Sequence, residues 1–220
     1  MDQLVKVSYE STSDLTVARR WLKELNSFST IACDLETSTR YSDEDRVELL
    51  ATSLDESLPK QVRRAAKAKL HSSALSHPMH TVLTHFQVAW NEEEAKVFIL
   101  DSVEITELIL NFIVTTKVKQ IWHNYSFDGK HIYFYTLRHP IDFEDSQILA
   151  KTLANHVDIQ HATTGLKELA GCAYGAWSVS DELFHFDNLN DPKLLLYAAT
   201  DPCATMWIWN VMQHNLKESQ

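Results

Sequence analysis

The chain is short of the residues that staple small secreted folds. Its three cysteines, Cys33, Cys172 and Cys203, are widely spaced and odd in number. They spell neither a disulfide framework nor a zinc-ligand pattern, and they point to a reducing, intracellular compartment. No apolar run approaches the length of a membrane span and the polar N-terminus is no signal peptide, so no membrane partner is expected. An excess of positive charge is missing too. Thirty acidic against twenty basic residues give a net charge of −10, which argues against broad, non-specific binding of duplex nucleic acid. That balance still leaves room for an enzyme that grips a few nucleotides through metal ions. Internal repeats and low-complexity linkers are also absent.

What the chain does have is the composition of a folded globule. Hydrophobic residues make up 45% of its 220 positions and six are tryptophan, enough for one domain over 1–220 with a sizeable core. Residues 4–9 read as a short strand, and 14–25 as a helix with Leu15, Val17, Ala18, Trp21, Leu22 and Leu25 on its apolar side. Thr30-Ile-Ala-Cys-Asp-Leu-Glu reads as a strand, and 81–90 and 96–100 as two more, joined at Asn91-Glu-Glu-Glu by a hairpin without glycine. A helix at 104–116, a strand at 118–122, and helices at 125–137, 144–154, 163–171 and 192–216 complete the pattern. This order predicts an α/β fold: a mixed sheet, antiparallel in its first strands and parallel after, covered by helices.

The segment 41–78 stands apart as a helical insertion within that domain. Ser42 with Asp45 resembles a capping box, and Pro59 sits early in a second helix, where its missing N–H costs little. On that helix Lys60, Arg63, Arg64 and Lys67 fall at i, i+3, i+4 and i+7, one continuous basic face, with Val62, Ala66 and Leu70 pointing the other way. Such a face is either a solvated surface or a cationic stripe for a nucleic-acid backbone. No comparable basic cluster occurs elsewhere in this acidic chain.

Acidic residues arrive in three separated packets. In the first, Asp34 and Glu36 end an apolar strand; side chains at i and i+2 share a face, about 6.7 Å apart along the chain, so both can reach one metal at the sheet edge. In the second, Asp128 lies early in the helix after strand 118–122, a usual place for a site on an open sheet, with Asn124 able to cap the helix. In the third, Tyr197 and Asp201 stand four apart, about 6 Å along a helix axis, in the otherwise apolar run before Pro202. An aspartate there is costly unless paired or metal-bound. Each packet alone reads as surface, cap or hydrogen-bonded pair. In this order, on a strand, a helix start and a helix, they predict a site for two divalent cations and a phosphate ester.

Taken together, the motifs resemble the 3′–5′ exonucleases of the DnaQ-like, ribonuclease H-like superfamily, and in particular the proofreading domain of family A DNA polymerases. Those enzymes carry Asp-x-Glu, Asn-x-x-x-Asp and Tyr-x-x-x-Asp, matched here by Asp34/Glu36, Asn124/Asp128 and Tyr197/Asp201. Glu144-Asp-Ser-Gln-Ile-Leu-Ala and Gly165-Leu-Lys-Glu-Leu-Ala are similar to the segment between the second and third motifs. Tyrosine four residues before the last aspartate, with Leu196 where a histidine-type member needs His, marks the tyrosine subgroup. The insertion has no counterpart in the minimal proofreading domain, and Arg40 replaces an apolar residue near the terminal base.

The resemblance implies DNA 3′–5′ exonuclease activity on a single-stranded 3′ end, releasing nucleoside 5′-monophosphates by a two-metal mechanism. The ions would be Mg²⁺ or Mn²⁺, as all-oxygen ligands prefer. One would rest on Asp34, Glu36 and Asp201, the second on Asp34 and, through water, Asp128. Tyr197 would orient the attacking water; Thr37, Asn124 and Phe127 are candidate substrate contacts, with Tyr174 and Trp177 as further stacking candidates. A free-standing enzyme, or one proofreading in trans beside a separate DNA polymerase, in a bacterial or phage-infected cytoplasm, is the expected setting. Two alternatives remain: ribonuclease D-like trimming of RNA, and a non-catalytic module that binds a polymerase or a 3′ end.

Overall fold

A computed structural model describes residues 4–39, 41, 43–70, 77–154, 164–178 and 188–218. Its centre is a six-stranded mixed sheet in the order β1-β4-β3-β2-β5-β6, built from β1 (Ser8–Thr12), β2 (Thr30–Thr39), β3 (Thr81–Ala89), β4 (Glu94–Ile99), β5 (Lys119–Trp122) and β6 (Phe143–Asp145). β2, β3 and β4 pair antiparallel; β5 lies parallel to β2, β6 parallel to β5, and β1 parallel to β4. The mixed sheet expected from the element order is the one observed.

Two layers of helix cover it. α1 (Leu15–Leu25) and α4 (Val103–Thr115) pack on one face, and α5 (Tyr125–Thr136) lies beside α4. α6 (Ser146–Ala154), α7 (Leu166–Tyr174) and the long α8 (Pro192–Glu218) take the other face, α8 crossing from β1 to β5. Asp14 starts α1 by accepting the Val17 N–H at 2.8 Å, the usual N-cap bond. The period-two pleat of the strands then sorts the residues. On β2, Ile31, Cys33 and Leu35 enter the core under α1 and α4, with Phe86, Phe98 and Trp122. Ala32 joins Ile121, Met206 and Trp209 on the opposite face, so Asp34 and Glu36 also point toward α8.

Several elements differ from the sequence reading. Residues 4–7 are not in the sheet: Val5 donates its N–H to Ala173 O at 2.9 Å, and Val5 and Val7 pack with α7 and α8, which leaves the strand to begin at Ser8. β6 is three residues long, too short to show periodicity. α8 continues through Pro202. The described part of segment 41–78 forms α2 (Asp43–Leu54) and α3 (Lys60–Leu70), packed on each other, with Pro59 just before α3 accepting N–H bonds from Val62 and Arg63. Of its expected inward face Ala66 is buried, whereas Val62 is 44% exposed. Ser42 and Arg40 lie outside the described residues. Among the described residues no helix is long and apolar enough to cross a membrane.

Candidate active site

The site forms where β2 outruns its neighbour. β5 pairs with β2 only at Thr30–Ala32, so beyond Cys33 that edge is open. The first turn of α5 fills the opening and brings in Asp128, 1% exposed. α8 supplies Tyr197 and Asp201 from the sheet face onto which Asp34 and Glu36 project. Carboxylate oxygens of Asp34, Glu36 and Asp201 lie within 4.8 Å of one another. With Asp128 they line a pocket of about 310 Å³, walled by His123, Asn124, Phe127, Gln147, Gly165, Leu166 and Tyr197.

Gathering carboxylates in one pocket, with Asp128 and Asp201 buried and Asp34 and Glu36 half-buried, raises their proton affinity, since burial and like charge both disfavour the anion. Burial chiefly, then Asp201, lifts Asp34 from 3.8 to about 8, with opposing help from the Gln87 amide. Asp201 is lifted by burial to about 6, held down by the Trp177 and Tyr197 hydrogen bonds and the Lys167 charge. Glu36 and Asp128 are raised well above their ordinary values, again by burial first and neighbouring carboxylates next. The Asp128 Oδ1 atom is buried without a hydrogen-bond partner among the described residues. An all-oxygen donor set, strained by its own charge and with an orphaned buried oxygen, fits a hard divalent cation.

Three supporting residues escape the sequence reading. Gln87, fully buried on β3 directly opposite Asp34, donates from Nε2 to Asp34 at 2.6 Å and to Glu36 at 3.4 Å. A polar residue repeated at His85 and Gln87 on a strand buried on both faces was the available signal. Lys167 at the start of α7 donates to the Tyr197 hydroxyl at 3.0 Å and lies 4.3 Å from that ring's centre. Burial and the nearby carboxylates push the Tyr197 hydroxyl far above its ordinary pKa, so it acts as a neutral hydrogen-bonding group. Asp145 accepts the N–H groups of Asn124 at 3.1 Å and Tyr125 at 2.9 Å at the start of α5, and that of Gln147 at 2.8 Å in α6.

That last arrangement corrects one expectation. Asn124 does not cap α5: its backbone is left-handed (φ 62°), it makes no side-chain cap bond, and its Oδ1 accepts from Ser126 at 2.7 Å. Asparagine tolerates this conformation better than most residues, and the cap is supplied by Asp145 instead. Tyr174 is also corrected. Its hydroxyl is held by the carbonyls of Glu92 (2.7 Å) and Cys203 (3.0 Å), and it is not part of the acidic pocket's wall. Trp177 donates Nε1 to Asp201 at 2.5 Å, which makes it a carboxylate-orienting group. Phe127 and Asn124 do line the pocket, whereas Thr37, past a β-bulge on β2, and Lys60, Arg63, Arg64 and Lys67 on α3 do not.

No protein-family model matches this chain, and no curated protein sequence matches it. Solved structures do match. The EXO domain of Aedes aegypti Nibbler superposes with a TM-score of 0.64 at 11% identity, over 99% of this chain and 94% of that one. Brucella melitensis NrnC with bound Mg²⁺ gives 0.58 at 13%, over 99% and 84%. Escherichia coli RNase D, an exoribonuclease involved in structured RNA processing, gives 0.57 at 14%, over 97% of this chain but 46% of that one. The fold is the ribonuclease H-like one that these structures share. The identities, all below 15%, extend the likeness no further than the fold.

Proposed function

We propose that the protein is a metal-dependent 3′–5′ exonuclease acting on single-stranded nucleic acid. The observation that carries this reading is the convergence of Asp34, Glu36 and Asp201 within 4.8 Å, with Asp128 and Tyr197 in the same pocket, on a fold shared with structures of such nucleases. Asp34, Glu36 and Asp201 would hold one Mg²⁺ or Mn²⁺ and Asp34 with Asp128 a second; NrnC was observed with Mg²⁺. When bound, such ions stabilise the attacking and leaving oxygens of an in-line displacement at phosphorus.

The chain's own groups do the positioning. Tyr197, neutral and linked to Asp201 and Lys167, orients the water whose oxygen forms the new P–O bond as the 3′ oxygen leaves with the remaining strand. Gln87 fixes Asp34 and Glu36, and Trp177 fixes Asp201. Phe127 stacks on a base, and the α3 basic face, whose Lys60, Arg64 and Lys67 are exposed, attracts the phosphate backbone. A non-catalytic module would have no reason to keep all four carboxylates.

The Asn-x-x-x-Asp second motif favours DNA, which includes proofreading in trans beside a separate polymerase. RNA is the second reading, supported by the likeness to RNase D, an exoribonuclease. Matched DNA and RNA oligonucleotides incubated with Mg²⁺ or Mn²⁺ separate the two, with the released nucleoside 5′-monophosphates identified by chromatography. Deoxynucleotides from DNA with RNA spared supports the first reading. Preferential release from RNA moves the assignment to the second, and release from neither refutes the nuclease.

A further inference from the structure

We infer that the outer face of α5 is a binding track for the nucleotides that precede the one being removed. This rests on the nuclease reading above and extends it beyond the catalytic pocket. Phe127, Lys130 and Phe134 stand at i, i+3 and i+7, which places them on one side of the helix. The track begins at the pocket itself, because Phe127 is part of its wall. Lys130 follows one turn later with Nζ 4.8 Å from the centre of the Phe127 ring. Phe134 follows one turn after that, 44% exposed. Tyr125, Asp128 and Ile132 turn the other side of the helix into the protein, while His131, its ring centre 5.0 Å from that of Phe127 and its Nε2 3.0 Å from the Thr81 hydroxyl, borders the track.

The spacing suits a nucleic-acid strand. Seven helical residues span about 10.5 Å, and a stacked strand advances about 3.4 Å per nucleotide, so the track accommodates roughly three nucleotides. Aromatic faces interleaved with cations are the surface that single strands use, since every base has a π-face to stack. Phe134 has no polar group to satisfy, and its exposed ring meets the edge of Tyr135 at 5.2 Å. In a chain of net charge −10, Lys130 within the stripe and exposed Arg138 just beyond the helix end favour a polyanion over an apolar protein partner.

The test is the length dependence of Phe134→Ala and Lys130→Ala, both surface changes outside the catalytic pocket. For the wild type, KM is expected to fall from dinucleotide to about a tetranucleotide and then level off. In Phe134→Ala the gain with length shrinks roughly 5-fold or more, and in Lys130→Ala the logarithmic salt slope for an octamer falls by about 0.7; dinucleotide cleavage stays unchanged in both. An unaltered length dependence overturns the track, and so does an equal loss on the dinucleotide. Altered self-association in sedimentation with length dependence intact also overturns it, by assigning the face to a second copy. Anisotropy of the same labelled oligomers in metal-free buffer reads the length dependence without cleavage. A protein that binds along α5 and cuts nothing would refute the nuclease and leave the track standing.

Discussion

At the scale of single residues, Gln87 explains how two carboxylates on one strand face are kept in place. Its amide sits between Asp34 and Glu36, fully buried, with a hydrogen bond to each. Groups behind a metal ligand typically govern affinity about 10–100-fold. Gln87→Leu is therefore expected to raise the Mg²⁺ concentration for half-maximal cleavage by about 10-fold or more, with the rate at saturating metal far less affected; a titration of activity against Mg²⁺ measures both. Tyr197→Phe is expected to slow cleavage while single-strand binding is retained, and equal loss of both would make Tyr197 a structural residue. That Asp34, Glu36, Asp128, Tyr197 and Asp201 line one pocket was legible from the order and spacing of the three packets, since each packet alone reads as surface, cap or hydrogen-bonded pair. Gln87 and Lys167 were not. Each acts on a residue 53 or 30 positions away, through strand register and helix docking that no local pattern encodes.

At the scale of elements, one aspartate organises two helix starts. Asp145, at the end of the three-residue β6, accepts from the first amides of α5 and of α6, and so fixes the turn that presents Asp128. Asp145→Ala should cost about 1–2 kcal/mol, the upper part of the range for a lost cap, seen as a lower denaturation midpoint with unchanged slope. A variant as stable as the wild type would show that water replaces the cap. The long amphipathic and apolar elements were legible within a few residues, because periodicity over ten or more positions averages out local exceptions. β6 and the displaced start of β1 were not, since three residues carry no period and Val5 and Val7 serve the core equally well beside α7. The basic face of α3 gives a separate expectation. Neutralising Lys60, Arg63, Arg64 and Lys67 should weaken oligonucleotide binding and flatten its salt dependence; an unchanged slope returns that helix to a solvated surface.

At the scale of the whole molecule, the site is a source of instability that a bound cation would relieve. Asp34 binds its proton with a pKa of about 8 in the folded chain against an ordinary 3.8, and Asp201 with about 6 against 3.8. Across that window the folded state holds more protons than the unfolded state, so stability without metal is greatest below about pH 4 as far as these groups decide it and falls as pH rises toward 8. On the proposed function, Mg²⁺ would bind the deprotonated folded site and restore what is lost. The difference in melting temperature between Mg²⁺ and chelator should therefore widen from pH 6 to pH 8. A difference that is constant, or that narrows, would place the metal elsewhere.

The central claim is that Asp34, Glu36, Asp128 and Asp201 form one metal-dependent centre that removes nucleotides from a 3′ end. The most direct measurement is a time course on a 5′-labelled single strand in Mg²⁺ or Mn²⁺, with chelator and Asp34→Ala protein run alongside. The account predicts a ladder shortening one nucleotide at a time from the 3′ end, no product with chelator, and no product from a folded Asp34→Ala variant. Immediate release of the labelled 5′ nucleotide, cleavage at internal positions, or undiminished cleavage by Asp34→Ala would contradict it.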